Sequence, residues 1–367
     1  MISFYLVWCL GYFVLMFWLM QKWPKNQIQA NSEPGTFSAS LIIPFRNEIE
    51  NSVKLISELR KISSDNLQII LVDDHSDDGS FELFSQNLKK IRQLSVIKSP
   101  GIGKKAALEY GIHQASGELI LTTDADCQLP DMWVEKMRAE FCNPKVQLVA
   151  GPVLTEPDGN GFFPKFQKIE WASILLLTQF YFSKGSPLMC SGANLAFRKS
   201  AFWEVEGYSG NEHLLSGDDE FLLKKISSRF GSQACVYLPF RENLVKTAAH
   251  STWQSLINQR IRWAGKWSVH RSFSHGFAAV FSFLAQLIWL GSIYIFAQHR
   301  STFIFFCLIW AVKILSEKMA LGRVLGSLCQ KPSALNYLLS SFIHPIYGIW
   351  VGLGSLRGKF TWKGRTN

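Results

Sequence analysis

Between residues 38 and 153, short apolar runs alternate with amphipathic segments, and this alternation restricts the fold more than any other feature of the 367-residue chain. The run 39-ASLIIPF-45 reads as a buried strand. The segment 49-IENSVKLISELRKI-62 reads as a helix, with apolar positions near Val53, Ile56, Leu59 and Ile62. A strand over 68–74, a helix over 80–91 and a short strand over 94–99 follow. A helix over 103–115, a strand over 118–124, a helix near 131–141 and a strand over 146–153 complete the series. Strands alternating with helices call for a parallel sheet covered on both faces. The expected fold class is therefore α/β, with a mostly parallel, Rossmann-like sheet between helices, and ligands of such sheets sit beyond the carboxyl ends of the strands.

Two acidic pairs fall at that edge. Asp73 and Asp74 close one strand, and Asp124 and Asp126, in 121-LTTDADCQLP-130, close another. Aspartate often ends strands simply because it favours turns. The alternative is a metal site, because two carboxylates at a strand end suit Mg²⁺ or Mn²⁺ held against a substrate diphosphate. In 217-GDDEFLL-223, Asp218 and Asp219 open a helix, where acids also stabilise the helix dipole. Lys104 stands at another helix start, where its charge and the helix dipole would meet a phosphate, although a lone Gly-Lys is more often a solvated lysine.

Outside this region the chain is far more apolar. Residues 2–20 carry no charge and approach the roughly 20 residues that one bilayer crossing needs. No basic residue precedes them and 15-LMFWLMQKW-23 offers no small-residue cleavage site, so they read as a retained anchor rather than a signal peptide. Further apolar segments cover about 277–297, 302–316 (interrupted by Lys313) and 337–356, where His344-Pro345 suggests a kink or a re-entrant hairpin. The expected division is an anchor at 1–21, a tether at 22–37, a soluble domain at 38–270 and a membrane region of two or three segments at 271–367. The stretch 162–182 reads equally as a core helix or as a membrane contact.

Lys22, Lys25, Arg262, Lys266 and Arg271 flank the spans on the soluble-domain side, as do Lys318, Arg323 and Lys331 if the two middle segments form a hairpin. Basic flanks mark the cytoplasmic side, so a multi-pass inner-membrane protein with a cytoplasmic domain is expected. Arg357, Lys359, Lys363 and Arg365 break this pattern unless the last segment is re-entrant or one of the spans is misassigned, so the topology stays open. The net charge of +10 comes without zinc-finger spacing, an RNP-like aromatic motif or a sustained basic stripe. Anionic headgroups and a diphosphate are therefore simpler partners than nucleic acid. The seven scattered cysteines lack a Cys-x-x-Cys pair and read as reduced thiols.

Taken in order, the polar-edge motifs resemble the family 2 glycosyltransferases, which have the GT-A fold, over about residues 38–270. The stretch 40-SLIIPFRNE-48, with Pro44, Arg46 and Glu48, looks like the family's first strand and donor-binding turn. 71-LVDDHSDDGS-80 looks like the motif whose aspartates, here Asp73 and Asp74, contact the uracil and ribose of a nucleotide sugar. 103-GKKAALEYG-111 looks like the helix start that carries Lys104 toward phosphate, and 122-TTDADC-127 takes the place of the metal-binding Asp-x-Asp. 191-SGANLAFRK-199 looks like the segment that sets Gly192 and Asn194 beside the sugar. 217-GDDEFLL-223 looks like the base motif, and 259-QRIRW-263 fits Gln-x-x-Arg-Trp.

The resemblance implies a membrane-bound, inverting transfer of sugar from a nucleoside-diphosphate donor, expected to be UDP-linked, to a lipid or lipid-carried glycan. Asp124 and Asp126 would hold Mg²⁺ or Mn²⁺, with Asp124 also facing the donor. Asp219 would be the catalytic base, with Asp218 in reserve because the first acid is Asp rather than the commoner Glu. Gln259, Arg262 and Trp263 would serve the diphosphate and acceptor. Alternatively, 252–267 is a cationic amphipathic helix on the membrane, with Trp253, Trp263 and Trp267 at the interface. The competing activities are a processive polysaccharide synthase and, more distantly, a metal-dependent nucleotidyltransferase. Oligomeric state is not legible.

Overall fold

A computed structural model describes residues 2–25, 37–62, 64, 66–87, 91, 93–156, 159, 161–211, 217–265, 273–296, 300–356, 361–362 and 365–366. Most of the expected tether lies outside the described residues, as do Lys266, Trp267, Arg271, Arg357, Lys359 and Lys363. The contacts within the chain define two units, one of Pro24–Glu156 and Leu177–Ala248, the other of Met1–Trp23, Pro157–Leu176 and Ala249–Asn367.

After the N-terminal helix α1 (Ile2–Gln21), the first unit begins with β1 (Ala39–Phe45), α2 (Ser52–Ile62), β2 (Leu67–Asp73), α3 (Ser80–Gln86) and β3 (Leu94–Lys98). It continues through α4 (Lys104–Gln114), β4 (Leu119–Thr122), α5 (Trp133–Ala139), β5 (Leu148–Ala150) and β6 (Val153–Glu156). Helix α6 (Phe162–Ser183) leads to β7 (Leu195–Arg198), α7 (Lys199–Glu204), α8 (Asp218–Phe230), β8 (Cys235–Tyr237) and β9 (Val245–Ala248). Seven strands form one sheet in the order β3-β2-β1-β4-β7-β5-β8. The first four are parallel to one another, and β7 runs antiparallel to both β4 and β5.

Every residue of β1 is buried, as expected of a strand covered on both faces. Pro44 lacks an N–H, yet it is accommodated because the pairing with β4 ends at Ile42↔Thr122, leaving Pro44 partnered only by β2. Ile42, Ile70, Val72 and Ile120 of the sheet share a core with Ala107, Leu108 and Ile112 of α4 and with Leu222, Leu223 and Ile226 of α8. The register aligns Ala39 with both Leu67 and Leu119, so β1, β2 and β4 start level and their carboxyl ends lie along one edge.

The single strand expected over 146–153 is instead two. β5 stays in the main sheet, while β6 leaves it and pairs in parallel with β9. The break falls at Gly151-Pro152. A Cβ on Gly151 would lie 2.4 Å from Asn194 Nδ2, and the Pro152 carbonyl accepts from the Val245 N–H at 3.1 Å.

The second unit contains α1, the first part of α6, α9 (Trp253–Ala264), α10 (Phe273–Gly291), α11 (Ile293–Phe296), α12 (Arg300–Ser327) and α13 (Ala334–Ser355). Among the described residues two helical stretches are long and apolar enough to cross a membrane, Ile2–Gln21 and Gly276–Ile295. Helix α1 is bonded along its length. Tyr5 Oη donates to the Ile288 carbonyl at 3.1 Å, Tyr12 Oη to Glu317 at 2.8 Å, and Trp23 Nε1 to Ser327 Oγ at 2.9 Å. The expected 302–316 segment is part of a 28-residue helix, and the Lys313 that interrupts its apolar run is paired with Glu317 at 2.5 Å.

No re-entrant hairpin forms at His344-Pro345: α13 continues through Pro345 for 22 residues. Neighbouring helices make the one missing N–H bond tolerable. Gly348 and Gly352 of α13 let α10 approach closely, since a Cβ on Gly352 would lie 2.5 Å from Phe283 Cδ2. The 162–182 stretch is helical, and no residue from Phe162 to Phe180 is exposed.

Candidate active site

The acidic edge of the first unit is built from four segments. The first two interlock. Asn47, in a left-handed conformation, donates its side-chain N–H to Asp77 at 2.9 Å and accepts from the Asp77 N–H at 3.0 Å. Asp78 accepts from the Ile49 N–H at 3.0 Å and from the Ser80 N–H at 2.9 Å, as well as from the Ser80 hydroxyl. Burial opposes the Asp78 charge, but these hydrogen bonds outweigh it and hold its carboxyl below the usual range. The lower half of 71-LVDDHSDDGS-80 is therefore turn chemistry that fixes the segment carrying Arg46 and Glu48. Arg46 and Glu48 are half-buried and Pro44 is buried.

Asp73 and Asp74 are both buried at the end of β2. Asp73 Oδ1 accepts from the Ser76 N–H at 3.0 Å, closing an Asx turn. Asp74 Oδ1 accepts from the Gly103 N–H at 2.7 Å, which ties the end of β2 to the start of α4. Gly103 has φ 100°, a conformation that glycine adopts at low cost, and it delivers Lys104 as the first residue of the helix.

Lys104 joins the acidic motifs. Its Nζ lies 2.7 Å from Asp124 Oδ1 and 3.4 Å from Asp218 Oδ2. Burial disfavours its charge, but Asp124 and then Asp218 outweigh that effect, so its pKa stands well above the usual lysine value. Gly192 closes the group from the other side. Its N–H donates to Asp219 Oδ2 at 2.8 Å, and a Cβ there would lie 2.9 Å from Asp218 Oδ2 and 3.6 Å from Lys104 Nζ. The other oxygen of Asp219 accepts from the Glu220 N–H at 2.7 Å. Lys104, Asp124, Gly192, Asp218 and Asp219 thus form one constellation.

Asn194 is fully buried and turned inward. Its Nδ2 donates to the carbonyls of Pro152 and Asn243 at 2.8 and 2.7 Å, and its Oδ1 accepts from Trp133 Nε1 at 2.8 Å. It anchors the turn that presents Gly192. Gln259, Arg262 and Trp263 lie on α9, in the other unit. There Arg260, between two of the expected residues, is the buried one. It binds Glu170 through Nε and Nη2 at 2.7 and 2.6 Å, and its guanidinium lies 4.3 Å from the Trp263 ring centroid.

Sequence reasoning missed several supporting residues. Thr122 and Thr123 donate to the carbonyls of Gly192 and Ala193 at 2.7 and 2.9 Å, locking the Asp-x-Asp strand to the glycine turn. Thr247 donates to Asp126 Oδ2 at 2.7 Å from 121 residues away, where no local pattern marks it. Both threonines beside Asp124 stand in the quoted motif, and their position was the available signal.

Among the described residues, no three His, Cys, Asp or Glu side chains gather as a metal cage. Mg²⁺ and Mn²⁺ do not need one: one or two carboxylates, completed by phosphate oxygens and water, suffice. Asp124 and Asp126 are half-buried oxygen donors at a strand end, and they fit that requirement. Burial first and Asp126 next push the pKa of the neighbouring Cys127 thiol well above its ordinary value.

Residues 40–206, a little under half of the chain, match the sequence model described as Glycosyl transferase family 2. Over 124 residues, 33% of this chain and 41% of the relative, the sequence is 32% identical to Glycosyltransferase AglE of Haloferax volcanii. Over 96 residues, 25% of this chain and 29% of the relative, it is 38% identical to the undecaprenyl-phosphate 4-deoxy-4-formamido-L-arabinose transferase of Yersinia enterocolitica. The matched regions thus span less than half the length of these curated relatives. Among solved structures, the mannosyltransferase PcManGT from Pyrobaculum calidifontis, in complex with GDP-Man and Mn²⁺, aligns over 97% of both chains with TM-score 0.57. At 16% identity this is a likeness of fold.

Proposed function

We propose that the chain, whose residues 40–206 match the model of Glycosyl transferase family 2, is a membrane-bound, inverting enzyme that transfers sugar from a nucleoside-diphosphate donor to a lipid or lipid-carried glycan. The observation that carries this reading is the constellation in which Lys104 joins Asp124 to Asp218, beside Gly192 and Asp219. A nucleoside-diphosphate sugar leaves as an anionic diphosphate, and the reaction needs positive charge where that negative charge grows. Lys104 is one source, and a Mg²⁺ or Mn²⁺ ion bound by Asp124 and Asp126 would supply more. Asp73 and Asp74 orient the nucleotide.

Asp219 accepts the acceptor proton as the new glycosidic bond forms and the bond to the diphosphate breaks. Attack from the face opposite the leaving group inverts the anomeric carbon. Asp219 in this role serves a hydroxyl acceptor, because a phosphate acceptor arrives already ionised and has no proton to give up. The two long apolar helices and the lipid-phosphate substrate in one relative's name support a membrane-borne acceptor. The multi-pass inner-membrane topology with a cytoplasmic domain belongs to the same proposal. The roles of Arg46 and Glu48 toward the donor, and of Gln259, Arg262 and Trp263, rest on the motifs alone.

The test is nucleoside-diphosphate release by the purified full chain in lipid nanodiscs. A panel of UDP- and GDP-sugars would be offered with host lipids, with Mn²⁺, Mg²⁺ or chelator. One donor, expected to be UDP-linked, should support release that chelator abolishes. Release of pyrophosphate instead would identify a nucleotidyltransferase, and long polymer from donor alone would identify a processive synthase.

A further inference from the structure

We infer that Lys104 is a built-in counterion that couples cation binding to donor binding, holding Asp124 until a diphosphate draws it away. This inference rests on the reading of Asp124 as a cation ligand. Lys104 is fixed from below: Gly103, which precedes it, is held by Asp74 at 2.7 Å. Its head is fixed from above, 2.7 Å from Asp124 and 3.4 Å from Asp218, with the Cβ-less Gly192 beside it. The lysine side chain is only 23% exposed, so water screens these contacts incompletely.

One carboxylate oxygen serves an ammonium and an inner-sphere divalent ion poorly at the same time, because the two cations repel at that distance. A cation binding at Asp124 Oδ1 therefore displaces Lys104, and one binding at Oδ2 is repelled by the ammonium on the other oxygen of the same carboxylate. A diphosphate changes the balance, because its oxygens accept charge-assisted hydrogen bonds from the released ammonium. Cation and nucleoside diphosphate should then each tighten the other's binding, by the same factor. Since Lys104 also touches Asp218, its movement links donor occupancy to the acid pair that opens α8.

The experiment is a Mn²⁺ titration of the full chain in detergent micelles, read by the electron paramagnetic resonance of free Mn²⁺, with and without UDP or GDP. In wild type, the matching nucleotide should tighten Mn²⁺ about tenfold or more. Lys104→Met should bind Mn²⁺ alone about tenfold more tightly than wild type, with the nucleotide effect smaller than in wild type by about the same factor, because phosphate oxygens still complete the cation's shell. Lys104→Arg should keep the coupling. Unchanged or weaker Mn²⁺ binding by Lys104→Met, with the nucleotide effect intact, overturns the inference. Asp124→Asn separates the two readings. If it abolishes Mn²⁺ binding while Lys104→Met behaves like wild type, only the inference fails. If Mn²⁺ binding survives Asp124→Asn, the cation site and the inference fall together. Should Lys104→Met not fold, Lys104→Gln is read by the same two criteria, tighter binding of Mn²⁺ alone and a smaller nucleotide effect.

Discussion

Asp219 accepts one backbone N–H at each carboxylate oxygen, from Gly192 and from Glu220, so its position is set before any acceptor arrives. Asp219→Asn should lower turnover by about 10²–10⁴-fold, the usual worth of a general base, while donor affinity stays within about threefold. Steady-state kinetics beside donor-binding measurements check this, and undiminished turnover would move the base elsewhere. Asp78 gives a pH signature. Its folded pKa is lowered, so the stability it contributes is present above the unfolded carboxylate value, near 3.9, and is lost as pH falls through the folded value. Asp78→Asn should flatten the acid limb of the stability profile, and an unaltered limb would contradict this. The grouping of Asp124, Asp218 and Asp219 was legible because acids at strand ends and helix starts stand out from their neighbours. Glu170 was not singled out, although it is the one acid in the apolar stretch 162–182 and so demanded a buried partner. That partner is Arg260. Glu170→Gln should cost about 3–5 kcal/mol, because it strands a buried guanidinium, and a thermal unfolding midpoint matching wild type would count against it.

At the scale of elements, the alternating pattern was readable because buried strands and amphipathic helices have different periods. What remained hidden depended on distant partners. At the break between β5 and β6, Asn194, 43 residues after Gly151, fills the space that a side chain at 151 would need. Local patterning cannot announce such a neighbour. The extent of α12 was hidden for a related reason: the apolar run interrupted by Lys313 was expected to stop at 316, whereas Glu317, one turn after Lys313, pairs with it and the helix continues to Ser327. Likewise His344-Pro345 suggested a kink or a re-entrant hairpin, but α13 continues through Pro345. The close approach of α10 to α13 yields a prediction at this scale. Gly352→Leu would force a side chain into Phe283 and should destabilise the helical unit by about 1–3 kcal/mol. Unfolding of the full chain in detergent at the wild-type temperature would show that this packing does not matter.

For the whole molecule, the proposed transfer from a nucleotide sugar to a membrane-borne acceptor draws on a seven-stranded α/β sheet unit and on a helical unit with, among the described residues, two bilayer-length apolar helices. The order of motifs along the chain carried this reading, since each motif alone has a structural explanation. Donor sugar and acceptor stay unreadable because they depend on a few pocket contacts that spacing does not encode. The most direct test follows a ¹³C-labelled sugar from the donor identified by the panel into the lipid phase, by NMR of its anomeric carbon. Wild type with Mn²⁺ would be compared with wild type in chelator and with Asp219→Asn. The account predicts one labelled product of inverted anomeric configuration, formed only by wild type with metal. A product of retained configuration, or equal product from Asp219→Asn, would contradict it.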